Sequence, residues 1–234
     1  MPKNNKTTIA LSIIVAAIII AGAILYVARP KTTAAPAASN SQPSLADKGL
    51  SIDGLPVLGD PKAPATILEF GDFQCIACVR FFAMAEPQIT KDLINTGKAN
   101  MVFKILDFIG PESIDAAEAA ECSADQGKFW EMHDAIYNAE LNEVKANKNN
   151  ENSGNLTKNF FVSTAKNLGM DVNQFTSCYD SQKYASKIAS FYTDAGKALG
   201  GLISTPSIFV IKNGVGQKVD NPFDVTSFEK IVNQ

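Results

Sequence analysis

The sequence is poor in the groups that announce metal or nucleic-acid chemistry. Its 234 residues hold one histidine, His133, one tryptophan, Trp130, and four cysteines. With a single imidazole and no second close pair of cysteines, a zinc knuckle has too few ligands, so no metal site and no cofactor are expected. A net charge of −3, with no basic run interleaved with aromatics, leaves no electrostatic footprint for nucleic acid. Four cysteines are too few to staple a disulfide-framework miniprotein, yet they suffice for one catalytic and one structural pair. No internal repeat is visible. The chain is 46% hydrophobic and 19% charged, a composition that excludes a disordered protein and supports a substantial core.

Charge is also missing from one long stretch near the start. Lys3 and Lys6 precede residues 9–28, which carry no charge and are closed by Arg29. A helix of that length reaches about 30 Å at ~1.5 Å per residue, enough to cross a bilayer, whereas the apolar region of a cleaved signal peptide runs to only about 7–15 residues. The expectation is a tail over 1–8, a transmembrane signal anchor over 9–28 and a flexible Pro, Ala and Ser-rich linker over 29–50. Cleavage candidates at Ala21-Gly22-Ala23 and Ala35-Pro36-Ala37 keep a secreted form open. Either form places the remaining domain, 51–234, outside the cytoplasm.

That domain alternates. Ala65 to Phe70 predicts a buried strand, Ile76 to about Asn95 a helix that Pro87 kinks, and Met101 to Leu106 a second strand, so the pattern is a βαβ unit with parallel neighbours. Five helices follow: Ile114 to Ala124, Lys128 to Ala139, Asn159 to Leu168, Val172 to Tyr179 and Lys183 to Leu199. The polar run from Lys145 to Asn155 is expected as an exposed loop among them. Strand character returns at Ser207 to Ile211, then an Asn213-Gly214 turn, a short strand at Gln217 to Val219 and a last helix over Val225 to Val232. The fold class is α/β, with a helical insertion over about 111–200. Phe129, Trp130, Met132, Ile136 and Tyr137 fall at helical spacing, as core of that insertion, and His133 is expected to be a packed or capping residue.

Between the first strand and its helix stands Cys75-Ile76-Ala77-Cys78. Two thiols three positions apart at a helix start can close a small disulfide ring, and the first lies where unpaired N–H groups and the helix dipole favour a thiolate. The thiolate is the species that attacks disulfides. The same spacing also suits an inert stabilising disulfide, as in a tethered binding protein of this fold. Glu69, six positions earlier in an apolar strand, is out of place for a core residue; it is either solvent-facing or a buried acid. Asp72 and Gln74 suit a turn.

The combination of Gly59-Asp60-Pro61 with Ala63-Pro64, Glu69 to Cys78, Gln126 to Trp130 with His133-Asp134, and Thr205-Pro206-Ser207 ahead of a strand resembles the DsbA-like thiol:disulfide oxidoreductases of the thioredoxin superfamily. The resemblance implies a thioredoxin fold with an inserted helical domain, and an extracytoplasmic enzyme that introduces disulfides into reduced exported proteins. It implies Cys75 as the exposed reactive sulfur, Cys78 as the resolving one and Glu69 as a buried acid that exchanges a proton with Cys78. It further implies a loop in which Thr205 and Pro206 bind substrate, with Pro206 in the cis form that the ~5–6% frequency of cis X–Pro bonds does not favour. A membrane quinone-coupled disulfide generator of the DsbB or vitamin-K-epoxide-reductase type would reoxidise the pair. With Cys75 and Cys78 paired, an oxidising compartment makes Cys122 and Cys178 the second, structural disulfide; two separate buried thiols are the alternative. Ile76 and Ala77 offer the thiolate no charge and no hydrogen-bonding side chain, so isomerase and reductase directions stay open beside oxidase.

Overall fold

The computed structural model describes residues 43–234. Strand β1 (Ala65–Gly71) is buried along its whole length, as a central strand covered on both faces must be. It leads into α1 (Ile76–Met84) and the short α2 (Glu86–Ile89), then a wide turn over Thr90–Ile94 and strand β2 (Asn100–Ile105). The expected helix of 76–95 is thus broken in the middle. Pro87 has no N–H to offer the preceding turn, and its ring crowds the carbonyl four residues back. The chain breaks two residues before it, at Ala85, and restarts with Glu86 buried.

The helical insertion comprises α3 (Pro111–Ala124), α4 (Phe129–Lys145), α5 (Lys158–Asn167), α6 (Val172–Asp180) and α7 (Ala185–Leu199). Its helix starts follow local chemistry. Pro111 opens α3, where a missing N–H costs nothing. Thr157 and Asp171 cap α5 and α6 by accepting from the backbone of Phe160 and Gln174, and Gly200 ends α7 in the left-handed conformation, φ 67°. Strand β3 (Ser207–Lys212) then turns through Asn213 and Gly214, φ 52° and 75°, into β4 (Val215–Lys218). An Asn-Gly pair meets the positive φ that such a hairpin needs at both central residues. Helix α8 (Val225–Val232) follows, capped by Asp224.

The sheet order is β2-β1-β3-β4, with β1 parallel to β2 and antiparallel to β3. Side chains of β1 alternate between its two faces. Ala65 and Ile67 pack with Phe81, Ile89 and Phe228 from α1, α2 and α8. Leu68 and Phe70 pack on the other side with Phe191 and Ala195 of α7. Glu69 therefore shares the face of Ile67, under α1. On the opposite face the buried Lys104 donates to Asp194 at 2.7 Å and to the Gly49 carbonyl at 3.1 Å, tying α7 and the segment ahead of the sheet to β2. The insertion packs Phe129, Met132, Ile136, Phe161 and Phe175 into a core that is continuous with Phe73, Cys78, Val79 and Phe103 beside the sheet.

This is the thioredoxin fold with an inserted helical domain. Two expectations are corrected. Among the described residues no helix is long and apolar enough to cross a membrane, so the transmembrane helix, the signal anchor and the membrane-anchored location expected from the sequence find no support in the described fold; residues 9–28 lie outside the described residues. Packing also begins before residue 51, because Leu50 is buried and Leu45 packs beside it.

Candidate active site

Cys75 is the N-cap of α1, with extended backbone, φ −67° and ψ 116°. Its N–H donates to the Asp72 carbonyl at 3.0 Å, and its carbonyl accepts from Val79 at 2.9 Å. These bonds fix the sulfur at the helix mouth. It is half-buried, whereas Cys78, inside the first turn, has no exposure; both are free thiols. Cys75 Sγ lies 3.5 Å from the carbonyl oxygen of Thr205, 130 residues on, and the Thr205-Pro206 bond is cis. The fold thus brings Cys75, Cys78, Thr205 and Pro206 together from two distant segments.

The two sulfurs sit in unlike environments. Hydrogen bonding from the Cys78 side chain, helped by Thr205 and the backbone N–H groups of Cys78 and Ala77, brings Cys75 down to about 6 against the opposing effect of partial burial. Ala77 therefore supports the thiolate through its main chain, although its side chain cannot. Cys78 is pushed well above its ordinary value, first by burial, then by its bond to Cys75 and the charges of Glu69 and Cys75. Desolvation always penalises the charged form.

Glu69 is 1% exposed, and neither carboxylate oxygen has a hydrogen-bond partner among the described residues. Burial, reinforced by Glu86 and Cys75, pushes its carboxyl well above its ordinary value and so favours the protonated form. Gly71 makes room for it: a Cβ there would stand 2.5 Å from the Phe103 ring and 2.8 Å from Glu69 Oε1. The solvent-facing alternative for Glu69 is gone.

Asp72 and Gln74 form a turn, as expected, but they also reach much further. Fully buried Asp72 accepts from the backbone of Gln74, Phe108 and Ile109 and from the Ser113 hydroxyl at 2.7 Å. Burial still raises it to about 6. Gln74 donates to Glu112 at 2.9 Å, while Asn150 donates to the Gln74 carbonyl at 2.7 Å and to Glu140 at 2.8 Å. The run from Lys145 to Asn155 is largely exposed, as expected, with one exception: Asn150 is buried, and it clasps the residue that precedes Cys75. Sequence gave no sign of this, since an asparagine-rich run reads as solvated until its partner is known. His133 is packed, ringed edge-on by Phe73, Phe103, Trp130 and Tyr137.

A thioredoxin family model matches residues 52–234. The chain belongs to the thioredoxin family. Within it, the fold is that of the DsbA-like thiol:disulfide oxidoreductases. The oxidised crystal structure of BdbD from Bacillus subtilis superimposes with a TM-score of 0.63 at 25% identity, covering 82% of this chain and 94% of that one. A probable disulfide bond formation protein D from Bacillus anthracis is 29% identical, over 76% of each chain. The Na(+)/H(+) antiporter NhaA 1 of Salinispora arenicola is 31% identical over 66% of this chain, but the chain spans only 21% of that relative's length. This thioredoxin-family chain also carries a Cys122–Cys178 disulfide joining α3 to α6, away from the helix-mouth pair, with Cα atoms 5.8 Å apart.

Proposed function

We propose that this DsbA-like domain is an oxidase that works in an oxidising compartment and passes the Cys75–Cys78 disulfide to reduced exported proteins. The observation that carries the direction is the asymmetry of the pair. An easily ionised, accessible sulfur stabilises the reduced form and makes the disulfide a willing oxidant. The Cys122–Cys178 bridge supports the compartment, because such a bond persists where thiols are not kept reduced.

In this mechanism a substrate thiolate attacks Cys75 Sγ and the Cys75–Cys78 bond breaks. Its electron pair goes to the Cys78 sulfur, which takes a proton from neutral Glu69. A second substrate thiolate then attacks the substrate sulfur of the mixed disulfide and releases Cys75 as a thiolate. The substrate loses two electrons and leaves with a disulfide. An extended substrate segment pairs with the main chain at Thr205, ahead of Pro206, as an added strand. A membrane quinone-coupled disulfide generator reoxidises the dithiol. Isomerase or reductase action at the same pair is the competing direction.

A titration of the reduced protein decides between them. Thiolate absorbance is expected to rise with a midpoint near pH 6, from Cys75 alone. Because the folded value lies below the unfolded one of 9.0, the ionised thiol adds stability to the reduced form above pH 9, and this is lost as pH falls through 6. Equilibration with glutathione should give a potential well above the ~−270 mV of thioredoxin; a value at or below that figure overturns the oxidase direction. Glu69→Gln, which keeps the shape but holds no transferable proton, is expected to slow turnover by on the order of 10²-fold and to alter its pH profile while leaving the Cys75 titration in place. An unchanged rate and profile would remove Glu69 from the proton path.

A further inference from the structure

Two groups of metal-binding side chains converge in the described residues. One comprises Glu118, Cys122 and Cys178, but its sulfurs are committed to the disulfide and cannot act as thiolates. The other comprises Glu86, His133 and Asp134, whose ligand atoms all lie within 4.8 Å of one another.

We propose that Glu86, His133 and Asp134 form a binding site for one zinc ion, separate from the redox pair. The break at Pro87 creates half of it. Because the helix restarts at residue 86, Glu86 is turned inward against α4 instead of towards solvent, and it is 94% buried in consequence of its 6% exposure. Its Oε2 has no hydrogen-bond partner among the described residues. A carboxylate oxygen left without a partner in the interior is costly, and buried charges are normally paired or metal-bound. Asp134 supplies the third ligand: its Oδ1 is 3.0 Å from His133 Nδ1, and more than half of its side chain is open to water.

Access and chemistry agree. Glu86 and Asp134 line one groove of about 520 Å³ between α1–α2 and α4, walled by Phe82, Thr90, Asn138 and Leu141. A cation can enter from solvent and retain water in its remaining position. One imidazole with two carboxylates is a zinc-type donor set, for calcium and magnesium favour oxygen ligands throughout. The sequence argument against zinc weighed cysteines and the single imidazole; this site uses that imidazole with two carboxylates and no cysteine.

The test is zinc titration of the full chain against a chromophoric chelator, with Cys75 and Cys78 oxidised to their disulfide so that their thiolates cannot compete. One equivalent should bind, and cobalt(II) in its place should give the visible spectrum of a low-coordinate oxygen–nitrogen site. Glu86→Gln and Asp134→Asn should each weaken zinc binding by about tenfold or more. Asp134 is exposed, so its variant reports even if Glu86→Gln disturbs packing; circular dichroism identifies that case. An oxidised wild-type protein that takes up no zinc, or a folded variant with wild-type affinity, overturns the site.

Discussion

Replacing Cys75 with serine is expected to abolish oxidation of reduced substrates, a fall of at least about a thousandfold, because a hydroxyl cannot form the disulfide that carries the two electrons. Cys78→Ser should behave differently. Its partner sulfur is half-exposed and ionised near pH 6, so it still meets substrate disulfides, but the buried sulfur that would release the mixed disulfide is missing. A covalent adduct should therefore accumulate, visible as a reductant-sensitive mass shift with a substrate peptide disulfide. The pair of results separates an enzyme from a thioredoxin-fold binder with a structural disulfide. For a binder, both variants would leave the rate of substrate oxidation where the wild type has it.

Removing the second bridge should act on stability and not on electron transfer. With a sequence separation of 56, the chain-entropy relation gives Cys122–Cys178 roughly 4 kcal/mol of stabilisation. For a domain of this size, that corresponds to about 8–16 °C in Tm. Cys122→Ala with Cys178→Ala, melted with Cys75–Cys78 held in the same redox state as the wild type, should show that drop and keep the thiolate midpoint near pH 6. A change in Tm of under about 2 °C would mean that α3 and α6 are held by packing alone. A shift in the midpoint would instead mean that the insertion transmits its state to the helix mouth.

Much of the architecture was legible because its signals are local. A largely apolar run, interrupted by Thr66 and Glu69, gave β1, Asn213-Gly214 gave the hairpin, and helical spacing gave the insertion within a few residues at most ends. The outer parts of the site were harder. Cys75 and Cys78 adjoin in sequence, but Thr205 became relevant only through resemblance to a family, since nothing in a single chain says that residue 205 faces residue 75. Glu86 and Asn150 escaped altogether. The first looks like an ordinary helix residue unless Pro87 is taken to reset the helical phase and turn it inward. The second sits in a polar run whose burial depends on partners contributed by Gln74 and Glu140, far away along the chain. The early packing of Leu45 and Leu50 was hidden similarly, because a lone leucine after a Pro and Ser-rich stretch carries no period.

The clasp between Gln74 and the asparagine-rich loop bears on how freely such a domain could be rebuilt. Helical insertions invite treatment as cassettes, to be shortened, exchanged or removed while the sheet retains the chemistry. In this chain the cassette would not come away cleanly. Asn150, Asn152 and Glu112 all reach back to Gln74, so the insertion helps to shape the turn that presents the reactive sulfur. A graft from another relative would have to bring its own substitute for that grip, and loop length between α4 and α5 would then be a design variable of the redox centre itself.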